Sequence, residues 1–169
     1  MLIGQKMNDA INAQIGREFG ASLQYIAIAT HFDGQSLPQL AHHFSGQADE
    51  ERDHAMRFIR YLLDAGARVV IPSVGAPKST FATAEEAVKL SLDWEQEVTR
   101  QIHAILELAQ KENDHTTQQF LQWFVEEQLE EVSSMDKLLS VVRRAGEGGL
   151  LFVEEYLARE QGGEDEKDE

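Results

Sequence analysis

Four glutamates, Glu18, Glu51, Glu95 and Glu131, stand where helical periodicity asks for apolar side chains, and His54 follows one of them by three residues. Tracing 3–4 spacing through the four strongly periodic segments makes this explicit. The first stripe reads Ile11, Ile15, Glu18, Ser22, Tyr25, Ala29, Phe32. The second reads Leu40, Phe44, Gln47, Glu51, His54, Phe58, Tyr61, and the third Val88, Leu92, Glu95, Thr99, Ile102, Leu106. The fourth reads Leu121, Phe124, Gln128, Glu131, Met135, Leu138, Val142. Each stripe is apolar at both ends and carries one glutamate near its middle.

A carboxylate in an apolar core is costly unless it is paired, bound to a cation or protonated. No Lys or Arg falls on these stripes, so no side chain of opposite charge is on hand. Two divalent cations would balance four carboxylates, with His54 as a neutral nitrogen ligand, the ligand chemistry of di-metal sites in helix bundles. Glu51-Arg52-Asp53-His54 puts its carboxylate and imidazole on one helical face. That E-x-x-H spacing is common by itself; its position on a core stripe gives it weight. The chain has no cysteine, which excludes a disulfide framework, a zinc-finger type site and an iron–sulfur cluster. Oxygen and imidazole ligands suit iron, manganese or zinc. The other histidines, His31, His42, His43, His103 and His115, read as surface or helix-end residues.

The elements that must position these groups are four long helices, expected at about 5–33, 38–65, 83–111 and 115–144. Gly34 and Pro38 separate the first two, and a polar turn with Asp114 as cap separates the last two. Short turns between long helices make antiparallel hairpins. Residues 66–82 are too long for an ordinary connection, so they read as a crossover along the bundle that leaves the second and third helices parallel. After AGEGG (145–149) a short fifth helix is expected at 150–160, too short to stand alone. Residues 1–161 thus read as one domain and 162–169, GGEDEKDE, as an acidic disordered tail. The fold class is all-α: a four-helix bundle with one long crossover and a short C-terminal fifth helix. In such a bundle, helix midpoints share one height whichever way each helix runs, so the four glutamates converge on one layer.

The chain of 169 residues is 42% hydrophobic and 27% charged, ordinary values for a globular domain with a sizeable core. The formal net charge of -15 comes with no Lys/Arg cluster, which argues against a nucleic-acid partner. An acidic surface attracts cations but serves above all to keep a protein in solution. The first residues, MLIGQKMNDAINAQ, lack the pattern of a secretory signal, and the most apolar window, residues 23–29, is far short of a membrane span. A cytoplasmic protein without a membrane partner is expected.

The segments REFGASLQY (17–25), EERDH (50–54), WEQEVTRQI (94–102) and FLQWFVEEQLEE (120–131) resemble the motifs of bacterial non-haem ferritins, and the resemblance runs over residues 5–160. It implies the ferritin-like bundle and a function: oxidation of Fe(II) by dioxygen at a di-iron ferroxidase centre, with the ferric product stored in a hollow homo-oligomer of 24 subunits. By this resemblance Glu18, Glu51 and His54 hold the first iron. Glu51 bridges to the second, which Glu95 and Glu131 also hold. Tyr25 and Gln128 stand beside the centre, and Glu50, Glu127 and Glu130 form a nearby third iron site.

Departures from related families narrow the expectation. Glu127-Gln128-Leu129-Glu130 stands where symmetric di-iron proteins carry a second E-x-x-H, so the second iron has no histidine. Arg52 occupies the position of the haem-ligating methionine of bacterioferritins, and no haem is expected. Mini-ferritins place their site between subunits and lack a fifth helix. The resemblance also puts the fifth helix around fourfold axes of the shell. DHTTQQF (114–120) lacks the paired acids that often line threefold channels, leaving Asp114 as the one nearby carboxylate.

Overall fold

The computed structural model describes residues 2–165. Its elements are α1 (Gln5–Gly34), α2 (Pro38–Asp64), α3 (Ala84–Lys111), α4 (His115–Ala145), a single 3₁₀ turn (Glu147–Gly149) and α5 (Leu150–Asp165). No strand occurs among the described residues. The all-α class and the four-plus-one helix order are those expected, and the four long helices end within about a residue of their expected limits. The fifth helix differs: its backbone continues to Asp165 rather than stopping at 160. The acidic tail expected at 162–169 therefore begins in helix, and residues 166–169 lie outside the described residues. No described helix is long and apolar enough to cross a membrane.

Local chemistry sets the helix starts. Thr83 accepts from the Glu86 amide at 3.1 Å and Asp114 from the Thr117 amide at 3.0 Å, each satisfying one of the free N–H groups of a first turn. Pro38 begins α2, where its missing N–H costs nothing, but no residue of the preceding turn caps this helix. The cap comes from α5. Both oxygens of Glu154 reach the first turn of α2, accepting from the amides of Gln39 at 2.8 Å and Leu40 at 2.9 Å.

The 66–82 segment has no regular structure and runs alongside α1. Two buried amides on α1 hold it. Asn12 donates to the Arg68 carbonyl and accepts from the Val70 amide at 2.9 and 2.7 Å. Gln24 does the same with both backbone groups of Lys78, at 2.8 and 2.9 Å. Contact therefore moves up α1 from residue 12 to 24 as the connection advances from 68 to 78. It ascends with α1 and delivers α3 to the end where α2 began, so α2 and α3 run parallel, as its length implied. Between the two clamps the connection presses on Gly16, where a Cβ would lie 2.2 Å from Pro72 Cγ.

The core is split in two. One apolar cluster joins Tyr25, Ile28, Phe32, Leu40, Phe44, Val88, Leu92, Met135, Leu138 and Val142 with Val153 and Leu157 of α5. The other joins Met7, Ile11, Ile15, Phe58, Leu62, Ile102, Ile105, Leu121 and Phe124. Between them lies a layer of buried polar groups.

Candidate metal centre

That layer contains Glu18, Glu51, His54, Glu95, Gln128 and Glu131, all buried, with Glu18 and Glu95 fully so. One ligand atom each from Glu18, Glu51 and His54 lies within 4.8 Å of the others. His54 Nδ1 is 3.4 Å from Glu51 Oε2. These two atoms and Glu18 Oε2 are buried without a hydrogen-bond partner. Three unpartnered buried polar atoms on neighbouring side chains are costly unless something binds there. A cation fits the donor set: two hard oxygens and one imidazole nitrogen.

Glu95 and Glu131 complete the layer but are arranged differently. Glu95 is held from two sides: Oε1 accepts a short hydrogen bond from the Tyr25 hydroxyl, and Oε2 accepts from Gln128 Nε2 at 3.2 Å. Gln128 also lies within 3.2 Å of the Glu95 carbonyl. A carboxylate oxygen that accepts one hydrogen bond keeps a lone pair for a cation. Among the described residues, Glu18, Glu51 and His54 are the one group of three such ligands gathered within 4.8 Å; Glu95 and Glu131 do not form a second.

Electrostatics couples the two halves. Burial raises Glu18 well above the ordinary carboxylate value, and neighbouring Glu51 adds to it. Gln14, donating to Glu18 Oε1 at 2.8 Å, opposes the rise. Burial, then Glu95, raises Glu51. Burial raises Glu95 against the donors Tyr25 and Gln128. Glu131 is pushed up to about 9 by burial and then by Glu95 and Glu50. Tyr25 is raised well above its ordinary value by burial and then by Glu95, so it remains a hydroxyl donor. Carboxyls that hold protons in the core release them when a divalent cation takes their place.

Glu50, Glu127 and Glu130 lie beside this layer and not in it. With Glu131, His42, His43 and Ser134 they line one open groove between α2 and α4. Glu50 and Glu130 are exposed and Glu127 is half-buried, its Oε1 4.0 Å from His54 Nε2. Glu131 is thus shared between the core layer and the groove. His43 departs from the surface assignment: it is half-buried edge-on against Phe44, and its Nε2 is buried without a partner. His31 is likewise half-buried, against Phe32 and Phe81. His42, His103 and His115 are exposed.

A ferritin-like domain model matches residues 8–145. The chain belongs to the ferritin-like family. It is 48% identical over 155 residues to Ferritin BfrB of Mycolicibacterium smegmatis, covering 92% of this chain and 85% of that one. To the bacterial non-heme ferritin of Staphylococcus aureus it is 36% identical, covering 94% and 97%. Among solved structures, a novel open pore ferritin from Archaeoglobus fulgidus superposes with a TM-score of 0.89 at 34% identity, over 92% of this chain and 96% of the other. Membership supports iron storage as the function of this bacterial-type ferritin.

Sequence reasoning missed Gln14 in this ferritin. It lies four residues before Glu18 on α1, a spacing at which a glutamine and a glutamate meet on a helix. That spacing was the available signal.

Proposed function

We propose that this chain is an iron-storage ferritin subunit that oxidises Fe(II) with dioxygen at a paired-metal centre and keeps the ferric product inside a 24-subunit shell. The observation that carries the reading is the meeting of Glu18, Glu51 and His54 in the core, each with a buried ligand atom that has no protein partner. Family membership and the ferritin structural neighbours support it.

On this reading Fe(II) is the substrate and binds at two positions. Glu18, Glu51 and His54 hold the first; Glu51, Glu95 and Glu131 hold the second. Each Fe(II) gives up one electron and dioxygen accepts both. Anionic oxygen ligands favour the more highly charged Fe(III), which supplies part of the driving force. The apolar plugs above and below the layer exclude water along the bundle axis. Glu131 and the groove acids Glu50, Glu127 and Glu130 provide a third binding position and a path of oxygen ligands from the centre to the surface.

Two measurements test this. Fe(II) added in air is followed by the absorbance of oxo-ferric species, and the double variant Glu51→Ala with His54→Ala must oxidise far more slowly than wild type. Equal rates sink the catalytic reading. Size-exclusion chromatography must give a particle of about 24 times the 19.0 kDa chain; a monomer or dimer points instead to a small di-iron enzyme and sinks the storage reading.

A further inference from the structure

Gln14 is fully buried, one helical turn before Glu18. Its Nε2 donates to Glu18 Oε1 at 2.8 Å, and its Oε1 accepts from Arg17 Nη1 at 3.1 Å. A guanidinium has donors and no acceptor, so Arg17 fixes the amide with its oxygen outward and its NH₂ toward Glu18. The reverse orientation would set a carbonyl against a carboxylate and two donors against a third. Arg17 itself is exposed, so the orientation of a fully buried pair is set by a charge at the surface. The consequence falls on Glu18. One oxygen is occupied by Gln14, while Oε2 is buried without a partner in the layer shared with Glu51 and His54. In the opposite half Gln128 likewise donates to one oxygen of Glu95, but there Tyr25 takes the other.

We propose that Gln14, locked by Arg17, is a positioning residue that holds Oε1 of Glu18 and presents Oε2 alone to the first metal position, so that the affinity and coordination of that position, and not of the second, depend on it. This rests on the paired-metal reading above. A hydrogen-bond partner behind a metal ligand sets the ligand's orientation and commonly changes affinity by about 10–100-fold. Without Gln14 the carboxyl is free to rotate and to ligate through both oxygens.

The probe is Co(II), whose visible absorption reports coordination. It is titrated into the assembled, metal-free protein as wild type, Gln14→Leu, Arg17→Ala and His54→Ala, the last removing a side chain that serves the first position only. In Gln14→Leu the binding step lost in His54→Ala weakens by about tenfold or more and its band changes intensity, while the other step keeps its wild-type affinity. Arg17→Ala moves the same step in the same direction by less. Wild-type affinity and spectrum in both variants overturn the proposal, as does equal weakening of both steps, which would mean a generally loosened helix. If Gln14→Leu does not assemble, Arg17→Ala decides alone, since its side chain is exposed: a shift confined to the first step supports the proposal and no shift overturns it. If wild type shows no Co(II) step that needs His54, the paired-metal reading itself fails and takes this proposal with it. If that step is present but indifferent to Gln14 and Arg17, the positioning role alone fails.

Discussion

The Tyr25 hydroxyl donates to Glu95 Oε1 in the middle of the bundle, tying α1 to α3 across 70 residues of chain. Both side chains are essentially without solvent exposure, so this bond has no water to replace it. Tyr25→Phe removes one of the two donors that hold the Glu95 carboxyl and leaves Gln128 alone. The expected cost in stability is about 1–3 kcal/mol, because a buried acceptor loses its partner. If Glu95 serves the second metal position, binding there weakens while the Glu18–Glu51–His54 position is unchanged. Thermal unfolding and a metal titration of the variant check the two parts separately.

Glu95→Gln sharpens the assignment. The amide keeps the shape of the side chain but loses the charge, and its NH₂ group cannot accept from Tyr25 or Gln128. The second metal position is expected to weaken more than the first. Equal loss at both positions would contradict the division of ligands between the halves.

Much of this was legible in the residues because the centre violates the pattern that surrounds it. Glu18, Glu51, Glu95 and Glu131 interrupt apolar stripes, and interruptions at matched height stand out in a way that a surface carboxylate does not. Gly34, Pro38 and Asp114 marked the helix ends because each acts locally, and residues 66–82 marked the crossover by having no period. Glu154 was not legible for the opposite reason, and Gln14 was signalled only by its spacing to Glu18. A neutral amide beside a stripe reads as surface, and Glu154 caps a helix through the amide of Gln39, 115 residues earlier in the chain. His43 lies beside the apolar stripe, and nothing in its neighbours announces that it packs against Phe44.

Glu154→Ala tests the docking of the fifth helix. Its carboxylate supplies two amides of the first turn of α2 and sits at the positive end of that helix. Truncation leaves both amides without an acceptor and is expected to cost about 2 kcal/mol, the upper range for a cap. Glu154→Gln keeps one good acceptor oxygen and should lose roughly half as much. Differential scanning calorimetry of the two variants gives the order. A Glu154→Ala protein as stable as wild type would mean that α5 is held by Val153 and Leu157 alone.

The raised carboxyls make a prediction about pH. Glu131 titrates near 9 in the fold against an ordinary value of 4.5. Between those values the folded metal-free protein binds more protons than the unfolded chain, so its stability falls as pH rises. The contribution is complete below 4.5 and is lost on passing 9. Glu18, Glu51 and Glu95 are raised too and act in the same sense. The melting temperature in chelator should therefore drop from pH 5 to pH 8, and Glu131→Gln should drop less. A divalent cation reverses the trend, since it binds the ionised carboxyls of the fold: at a concentration of about 100 times its Kd it adds about 2.7 kcal/mol. A Glu131→Gln protein with the full wild-type slope would show that this carboxyl is not among those that hold protons in the core.

Gly16 bears on how the crossover is seated. A methyl group there would fall 2.2 Å from Pro72 Cγ, closer than any van der Waals contact, and proline has no flexible end to swing aside. Gly16→Ala must therefore push the connection off α1. The bonds most exposed to that push are those of Asn12 to Arg68 and Val70, a helical turn away. On a helix surface the same substitution would stabilise by about 1 kcal/mol, because alanine is the better helix former. Here overpacking, at about 1–3 kcal/mol, outweighs that gain. The expected result is a net loss in thermal stability, with faster hydrogen exchange at the Val70 amide. A stabilised variant would show that the connection moves aside at little cost and that Asn12 and Gln24, not the close contact at Gly16, determine its path.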